Sequence, residues 1–175
     1  LAPPDHRGGL SRCTRCGYVQ YADPKVAVAA RIIDHRNVLL VRRQHAPGQG
    51  LWALPGGFMD AGEMPEDALK REVNEEVGLS VEVLGLIGIQ PLEVEAGQNI
   101  GIVLFYEAVP LNEDAALPAL TPSVDAVEAR WADAYAIRLD RLAFESNWYY
   151  IRNWLAKHPE RMIPQDLHDP AFFFV

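Results

Sequence analysis

Apolar and polar positions alternate along this chain in a way that predicts several short β-strands. Two runs rich in β-branched residues, 25–33 and 37–43, flank a short polar stretch, which predicts a β-hairpin. A stretch with two prolines, 112–123, lacks this alternation and is predicted to be a surface loop. Three later runs have the same strand-like character: 80–89, 99–109 and 127–133.

Two segments instead have the spacing of helices. Apolar residues recur at helical intervals from Met64 to Val77, and Gly78 follows in the position expected of a helix C-cap. Residues 144–158 predict a second, amphipathic helix, with apolar side chains on one face. The pattern therefore predicts both strands and helices in this chain.

The first helix carries an unusual density of acid. Glu72, Glu75 and Glu76 fall within about 100° of arc on a helical wheel, and Arg71 lies four residues before Glu75, within reach of an ion pair. Like charges at this spacing destabilise a helix unless a cation lies between them. Hard divalent cations such as Mg²⁺ prefer oxygen ligands. Taken alone, three glutamates are also consistent with an ordinary solvated face.

Composition narrows the possible functions. The chain has 175 residues, about one domain, and a formal charge of −8. Its acidic pI of about 5.1 argues against binding duplex nucleic acid through the phosphates. No apolar run reaches the length of a membrane span, so we expect no membrane insertion and a cytoplasmic setting.

The acidic helix belongs to a longer motif. The sequence fits G-x5-E-x7-R-E-U-x-E-E-x-G-U, where U is aliphatic, over residues 57–79. This pattern resembles the Nudix box, and the resemblance extends over roughly residues 24–157. It implies an α/β/α sandwich with a mixed sheet between helices. The defined positions are occupied by Gly57, Glu63, Arg71, Glu72, Val73, Glu75, Glu76, Gly78 and Leu79.

Nudix enzymes hydrolyse a nucleoside diphosphate linked to another group, and the resemblance implies that activity here. It implies that Mg²⁺ or Mn²⁺ is bound by the box glutamates and that Arg71 orients a carboxylate. The metal ligands carried over are Glu63, Glu72, Glu75 and Glu76, and the catalytic residues are Arg71, Glu75 and Glu76.

The general base and the substrate contacts are less closely defined. Glu76 is the candidate base within the box, and Asp125 and Glu128 are alternatives from a later loop. Gly57 is a candidate for substrate binding, because glycine lets backbone amides approach a ligand. Arg42 and Arg43 end a strand, where they could meet a phosphate or could be ordinary strand-end charges.

The two cysteines, Cys13 and Cys16, are spaced as CxxC in a loop-rich lead-in, residues 1–24. They resemble one knuckle of the zinc ribbon that precedes Nudix domains related to NADH pyrophosphatases. A closed zinc site needs four ligands, so His6 and a second chain are the further candidates. The alternative is a remnant that binds no zinc.

The substrate preference also rests on the resemblance. NADH pyrophosphatases carry a motif SQPWPFPxS after the box, of which this chain keeps only Gln90 and Pro91. ADP-ribose or another ADP-sugar is therefore expected ahead of NADH or FAD.

Two readings compete with a hydrolase. One is a non-catalytic Nudix module that senses a nucleotide, and the other is an isomerase of isopentenyl diphosphate. The complete box disfavours both. We expect a Nudix domain over residues 25–157 with a tail, 158–175, whose apolar end, 172–175, could reach a partner in a homodimer.

Overall fold

A computed structural model describes residues 11–20, 23–95, 98–111, 121 and 126–159. Within these ranges the chain forms nine β-strands, two α-helices and two short 3-10 turns. The strands are β1 (Ser11–Arg12), β2 (Val19–Gln20), β3 (Lys25–Asp34), β4 (Asn37–Arg43), β5 (Trp52–Ala53), β6 (Gly56–Phe58), β7 (Val81–Glu95), β8 (Gln98–Pro110) and β9 (Ala126–Asp133); the helices are α1 (Pro65–Val77) and α2 (Glu145–Lys157).

A mixed seven-stranded sheet forms the centre of the molecule. Its main path runs β5-β4-β3-β8-β7, with β6 beside β3 and β9 beside β4. β3 is parallel to β8, and the other pairs of this sheet are antiparallel. The predicted β3–β4 hairpin is confirmed. The two strands pair only next to the turn, where Ile33 is opposite Val38 and Asp34 is opposite Asn37. Farther from the turn β3 pairs with β6 instead, so β3 is shared between two neighbours on one edge.

Side-chain alternation along the central strands builds two cores, one on each side of the sheet. In β3, Val28 and Ile32 pack with the apolar face of α1, whereas Ala29 packs with α2. In β4, Leu39 joins the α1 core and Leu40 joins the α2 core. This period of two places one helix on each face. The expected α/β/α sandwich is confirmed.

α1 begins one residue later than predicted and ends where predicted. Pro65 occupies its first turn, where the missing N–H costs no hydrogen bond. Gly78 adopts the left-handed conformation, with φ of 69°, and its N–H donates to the carbonyl of Asn74 at 2.8 Å. This is the αL termination expected of a C-cap glycine.

α2 is fastened to the sheet by polar contacts as well as by apolar packing. The backbone N–H of Leu54 donates to Oδ1 of the buried Asn147 at 3.0 Å. Nη1 of Arg31, which is 7% exposed, donates to the carbonyl of Tyr150 at 2.9 Å. These hydrogen bonds set the position of α2 on β3 and on the segment that follows β5.

Several sequence expectations lie outside the described ranges. They include most of the surface loop predicted over 112–123, the later-loop acid Asp125, the zinc candidate His6 and the apolar end 172–175. Among the residues that the structure does describe, neither helix has the length and apolar composition needed to cross a bilayer.

Candidate active site

The strand β6 brings the start of the acidic motif against α1. Gly56 has φ of 153°, and a Cβ there would overlap the backbone of Val28 in β3. At the next residue, Gly57, a Cβ would overlap the carboxylate of Glu72. Glycine at 56 is therefore required for the backbone to approach β3, and glycine at 57 leaves room for the Glu72 carboxylate. Both glycines belong to the short strand β6.

Arg71 is the centre of the acidic cluster. Its guanidinium donates to both oxygens of Glu63, at 2.8 and 2.9 Å. It also donates to Glu72 at 2.8 Å and to Glu75 at 3.0 Å. A further hydrogen bond of 3.0 Å reaches the carbonyl of Phe58 in β6. One cation therefore links the loop before α1, two turns of the helix and the adjacent strand, and the predicted Arg71–Glu75 pair is confirmed.

Glu63 is held in its charged form. The two hydrogen bonds from Arg71 and one of 3.0 Å from the N–H of Asp60 lower the pKa of Glu63 to about 2. A carboxylate that accepts several hydrogen bonds is stabilised as the anion. Glu63 thus acts mainly on Arg71 and on the loop that leads into α1.

The other three glutamates differ in their surroundings. The Glu72 side chain is 15% exposed, and burial raises its pKa despite the neighbouring Arg71. Glu75 is 59% exposed. Oε2 of Glu76 accepts a 2.9 Å hydrogen bond from the N–H of Gly56. The cluster therefore presents a largely buried carboxylate, an exposed one and one held by a backbone hydrogen bond along one side of α1.

Arg43 lies beside this cluster. Burial lowers the pKa of Arg43, and the charge of Glu76 acts against that shift. Its Nε donates to the carbonyl of Pro47 at 2.7 Å, and its guanidinium lies 4.9 Å from the ring centroid of Phe144. The structure thus brings Arg43 towards the carboxylates, as its selection as a substrate contact requires.

Arg42 and Glu128 lie elsewhere. They are cross-strand partners on β4 and β9, with a separation of 3.7 Å between Nη1 and Oε2. Ala129 and Trp131 of β9 pack with the α1 core, so alternation directs Glu128 to the α2 face. Arg42 also donates to the carbonyl of Gly50 at 3.0 Å. The structure does not bring these two residues together with the acidic cluster.

The CxxC pair occupies a tight turn between β1 and β2. The N–H of Cys13 donates to the carbonyl of Tyr18 at 2.7 Å, and Gly17, with φ of 74°, donates to the carbonyl of Cys13 at 2.9 Å. Backbone hydrogen bonds from Cys16 and Arg15 lower the pKa of the Cys13 thiol. Across the described part of the chain, no third metal-ligating side chain joins these two cysteines.

The box glutamates do not form a closed metal cage either. No three carboxylates of the described residues converge as a ready set of ligands. The exposed Glu75 and the partly exposed Glu72 provide carboxylate oxygens, a ligand type that Mg²⁺ binds together with waters and substrate phosphates.

Two backbone groups of the site could not have been recognised from the sequence. The N–H of Gly56 orients Glu76, and the carbonyl of Phe58 accepts from Arg71. Every non-proline residue carries the same backbone groups, so only the Gly-Gly pair hinted that the chain approaches another segment closely.

Comparisons with known proteins agree with this geometry. A family model described as the NUDIX domain matches residues 23–154. The ADP-ribose pyrophosphatase of Methanocaldococcus jannaschii is 35% identical over 130 residues, which cover 73% of this chain and 72% of that protein. The NAD-capped RNA hydrolase NudC of Haemophilus influenzae is 33% identical over 129 residues, which cover 64% of this chain and 48% of that protein. The chain thus matches about half the length of NudC.

Solved structures share the fold. A NUDIX hydrolase from Nitrosomonas europaea superposes with a TM-score of 0.71 at 23% identity and covers 93% of this chain and 94% of its own. The NUDIX domain of Shewanella oneidensis NrtR, solved with ADP ribose, superposes with a TM-score of 0.62 at 22% identity. The match covers 78% of this chain and 90% of that domain's chain.

Proposed function

The chain belongs to the NUDIX family of hydrolases, and we propose that it cleaves the pyrophosphate of a nucleoside diphosphate linked to another group, with a divalent metal ion. The observation that carries this proposal is the excess of carboxylates around Arg71. Glu63, Glu72 and Glu75 all hydrogen-bond to this one guanidinium, and Glu76 lies on the adjacent turn of the same helix.

Charge explains why a metal ion belongs in the proposal. A pyrophosphate is negatively charged and would be repelled by carboxylates alone. The exposed Glu75 and the less exposed Glu72 provide oxygens of the kind that Mg²⁺ or Mn²⁺ prefers. When bound, the ion would neutralise phosphate oxygens and lower the pKa of a water molecule.

The chain's own residues would position this chemistry. Glu76 is our candidate general base, because the Gly56 N–H orients its carboxylate. Arg71 would position Glu72 and Glu75, and Glu63 would hold Arg71. Arg43 would contact the substrate on the side of Glu76. Gly57 has no side chain and so leaves room for the carboxylate of Glu72. Asp125 remains the alternative base, whereas Glu128 projects from the α2 face, away from the acidic cluster.

The preferred substrate in this proposal is ADP-ribose or another ADP-sugar. A relative named ADP-ribose pyrophosphatase matches more than two thirds of this chain and of its own length. The relatives named NAD-capped RNA hydrolase keep NADH as a further candidate. Gln90, one of two residues kept from the NADH motif, donates to the hydroxyl of Tyr150 at 3.3 Å, so its contact here is structural.

Phosphatase-coupled phosphate release tests the proposal. ADP-ribose, ADP-glucose, NADH, FAD and nucleoside triphosphates would be offered with Mg²⁺ or Mn²⁺ to the wild type and to Glu76→Gln. Loss of the general base is expected to lower kcat by about 10²- to 10⁴-fold. Asp67→Asn is the matched control, because Asp67 is an exposed carboxylate in the first turn of the same helix.

The outcomes separate two functions. Metal-dependent turnover that is lost in Glu76→Gln and kept in Asp67→Asn would support the hydrolase. Equal turnover in both variants would remove Glu76 as the base. If ADP-ribose bound to the wild type without turnover of any substrate, a non-catalytic nucleotide-sensing module would replace the proposal.

The proposal also includes the wider organisation of the chain. Residues 25–157 would form the catalytic domain, and the knuckle of Cys13 and Cys16 would take zinc only if further ligands came from outside the described residues. A homodimer and a cytoplasmic setting remain predictions. Light scattering of chains with and without residues 159–175 tests the dimer arm, and an unchanged mass after truncation would contradict it.

A further inference from the structure

A recess lies on the face of the sheet that carries α2. It encloses about 290 Å³ between β4, β5, β9 and the two 3-10 turns that precede α2, Ala134–Ala136 and Leu139–Arg141. Its apolar walls include Leu40 and Leu142, both of which belong to the α2 core. The box glutamates belong to α1, on the other face of the sheet. The recess is therefore separate from the candidate active site.

Three arginines, Arg130, Arg138 and Arg141, line this recess. Arg130 lies over the indole of Trp52, with its guanidinium carbon 4.0 Å from the ring centroid. A cation–π contact leaves guanidinium N–H groups available to bind an anion. Among the described residues, no carboxylate forms an ion pair with Arg130 or with Arg141.

The acidic groups near the recess are already engaged. Asp133, which also lines it, forms hydrogen bonds of 2.8 to 3.1 Å with Arg36. Asp140 pairs with Arg138 at 3.0 Å. Arg130 and Arg141 therefore leave an excess of positive charge at the recess, although the whole chain has a net charge of −8. Like charges gathered beside one apolar cavity repel each other unless an anion joins them.

We propose that this recess binds a small phosphate monoester. Arg130 and Arg141 would hold the phosphate, because arginine forks match the oxygens of a dianionic phosphate. The organic part would pack on the apolar wall formed by Leu40, Ile137 and Leu142. The volume is at the small end of ligand sites, which suits a nucleoside monophosphate or a sugar phosphate rather than a dinucleotide.

Calorimetry and NMR test this proposal without reference to catalysis. AMP, ribose 5-phosphate and inorganic phosphate would each be titrated into full-length protein dialysed free of divalent metals, at low salt. NMR of the wild type would follow the indole N–H of Trp52 and the Nε–H groups of Arg130 and Arg141. We expect AMP or ribose 5-phosphate to shift these three signals and to bind more tightly than inorganic phosphate.

A pair of double variants provides the matched control. Arg130→Gln/Arg141→Gln removes two cations from the recess, and Arg12→Gln/Arg15→Gln removes two exposed cations from the β1–β2 knuckle. The first is expected to weaken binding of the monoester at least about tenfold, whereas the second should change it by less than about twofold.

Other results would overturn the proposal. Binding that leaves the Trp52 and arginine signals of the wild type unshifted would place the ligand elsewhere. If both double variants weakened binding of the monoester equally, the loss would reflect the change in net charge and not the recess. Inorganic phosphate that binds as tightly as the monoesters would show that the apolar wall contributes nothing. None of these results depends on whether the chain hydrolyses a pyrophosphate.

Discussion

The two α-helices are equally long and cover opposite faces of one sheet, but their polar residues serve different purposes. In α2, buried polar groups hold the helix to the sheet: Asn147 is 3% exposed and accepts from Leu54, and the backbone carbonyl of Tyr150 accepts from Arg31. Those of α1 gather on one side, where Arg71 joins several carboxylates. Hydrogen bonds between buried polar groups stabilise a fold, whereas an excess of one charge at a surface provides a site for counter-ions.

The comparison predicts that changes in α2 act on stability and that polar changes in α1 act chiefly on activity. The expected effects below run from the largest free-energy change to the smallest.

Trp154→Ala should have the largest effect on folding. Trp154 is 4% exposed in the α2 core, so its truncation is expected to cost about 3–5 kcal/mol of unfolding free energy. Urea denaturation measures this loss, and Lys157→Ala, an exposed change at the end of the same helix, should stay within about 0.5 kcal/mol. The kcat of the folded fraction should be unchanged. A large fall in kcat would show that α2 contributes to chemistry and would break the comparison.

Arg71→Gln should have an intermediate effect on stability and a clear one on activity. Its side chain is 28% exposed, so losing its charge-assisted hydrogen bonds is expected to cost about 1.5–3 kcal/mol after screening by solvent. Misplaced carboxylates should lower metal affinity or kcat about 10- to 100-fold.

Lys70→Gln is the control for Arg71→Gln, because Lys70 is the exposed cation one residue earlier on α1. Steady-state kinetics at several Mg²⁺ concentrations separates metal affinity from kcat. A destabilised Arg71→Gln with normal metal affinity and normal kcat would make Arg71 purely structural.

Glu63→Gln should have the smallest effect, and that effect should depend on pH. The pKa of Glu63 is lowered from 4.5 to about 2 by Arg71 and the Asp60 N–H, so its charge stabilises the fold fully above about pH 4.5. This contribution is lost as the pH falls from 4.5 towards 2. Urea denaturation at steps from pH 7 to pH 3 should show the wild type and the variant converging. A difference that stays constant over this range would contradict the assigned cause.

Local patterns were sufficient to predict much of this protein. The helical spacing and Gly78 located α1, because a helix and its cap depend on residues close together in sequence. The ion pair between Arg71 and Glu75 followed from their separation by four residues. The second helix was predicted in the same way and is found at Glu145–Lys157.

Contacts between distant segments could not be predicted in this way. The sequence placed Arg42 and Arg43 together as substrate contacts, but successive strand residues point to opposite faces. Only Arg43 is near enough for the charge of Glu76 to affect its pKa. The sequence also made Glu128 a candidate base, but β9 pairs with β4 and directs Glu128 to the α2 face. The cavity beside Trp52 also had no sequence signal, because its walls come from strands and turns far apart in the chain.

The sequence by itself determined the kind of chemistry, because the residue types and spacing of residues 57–79 specify a cluster of carboxylates around one arginine on a short helix. Tertiary structure alone decided how those carboxylates differ from one another. Packing of β6 on α1 surrounds Glu72, provides a backbone donor for Glu76 and leaves Glu75 in solvent. Burial and backbone hydrogen bonds are properties of the folded chain, and they differentiate side chains that are chemically the same.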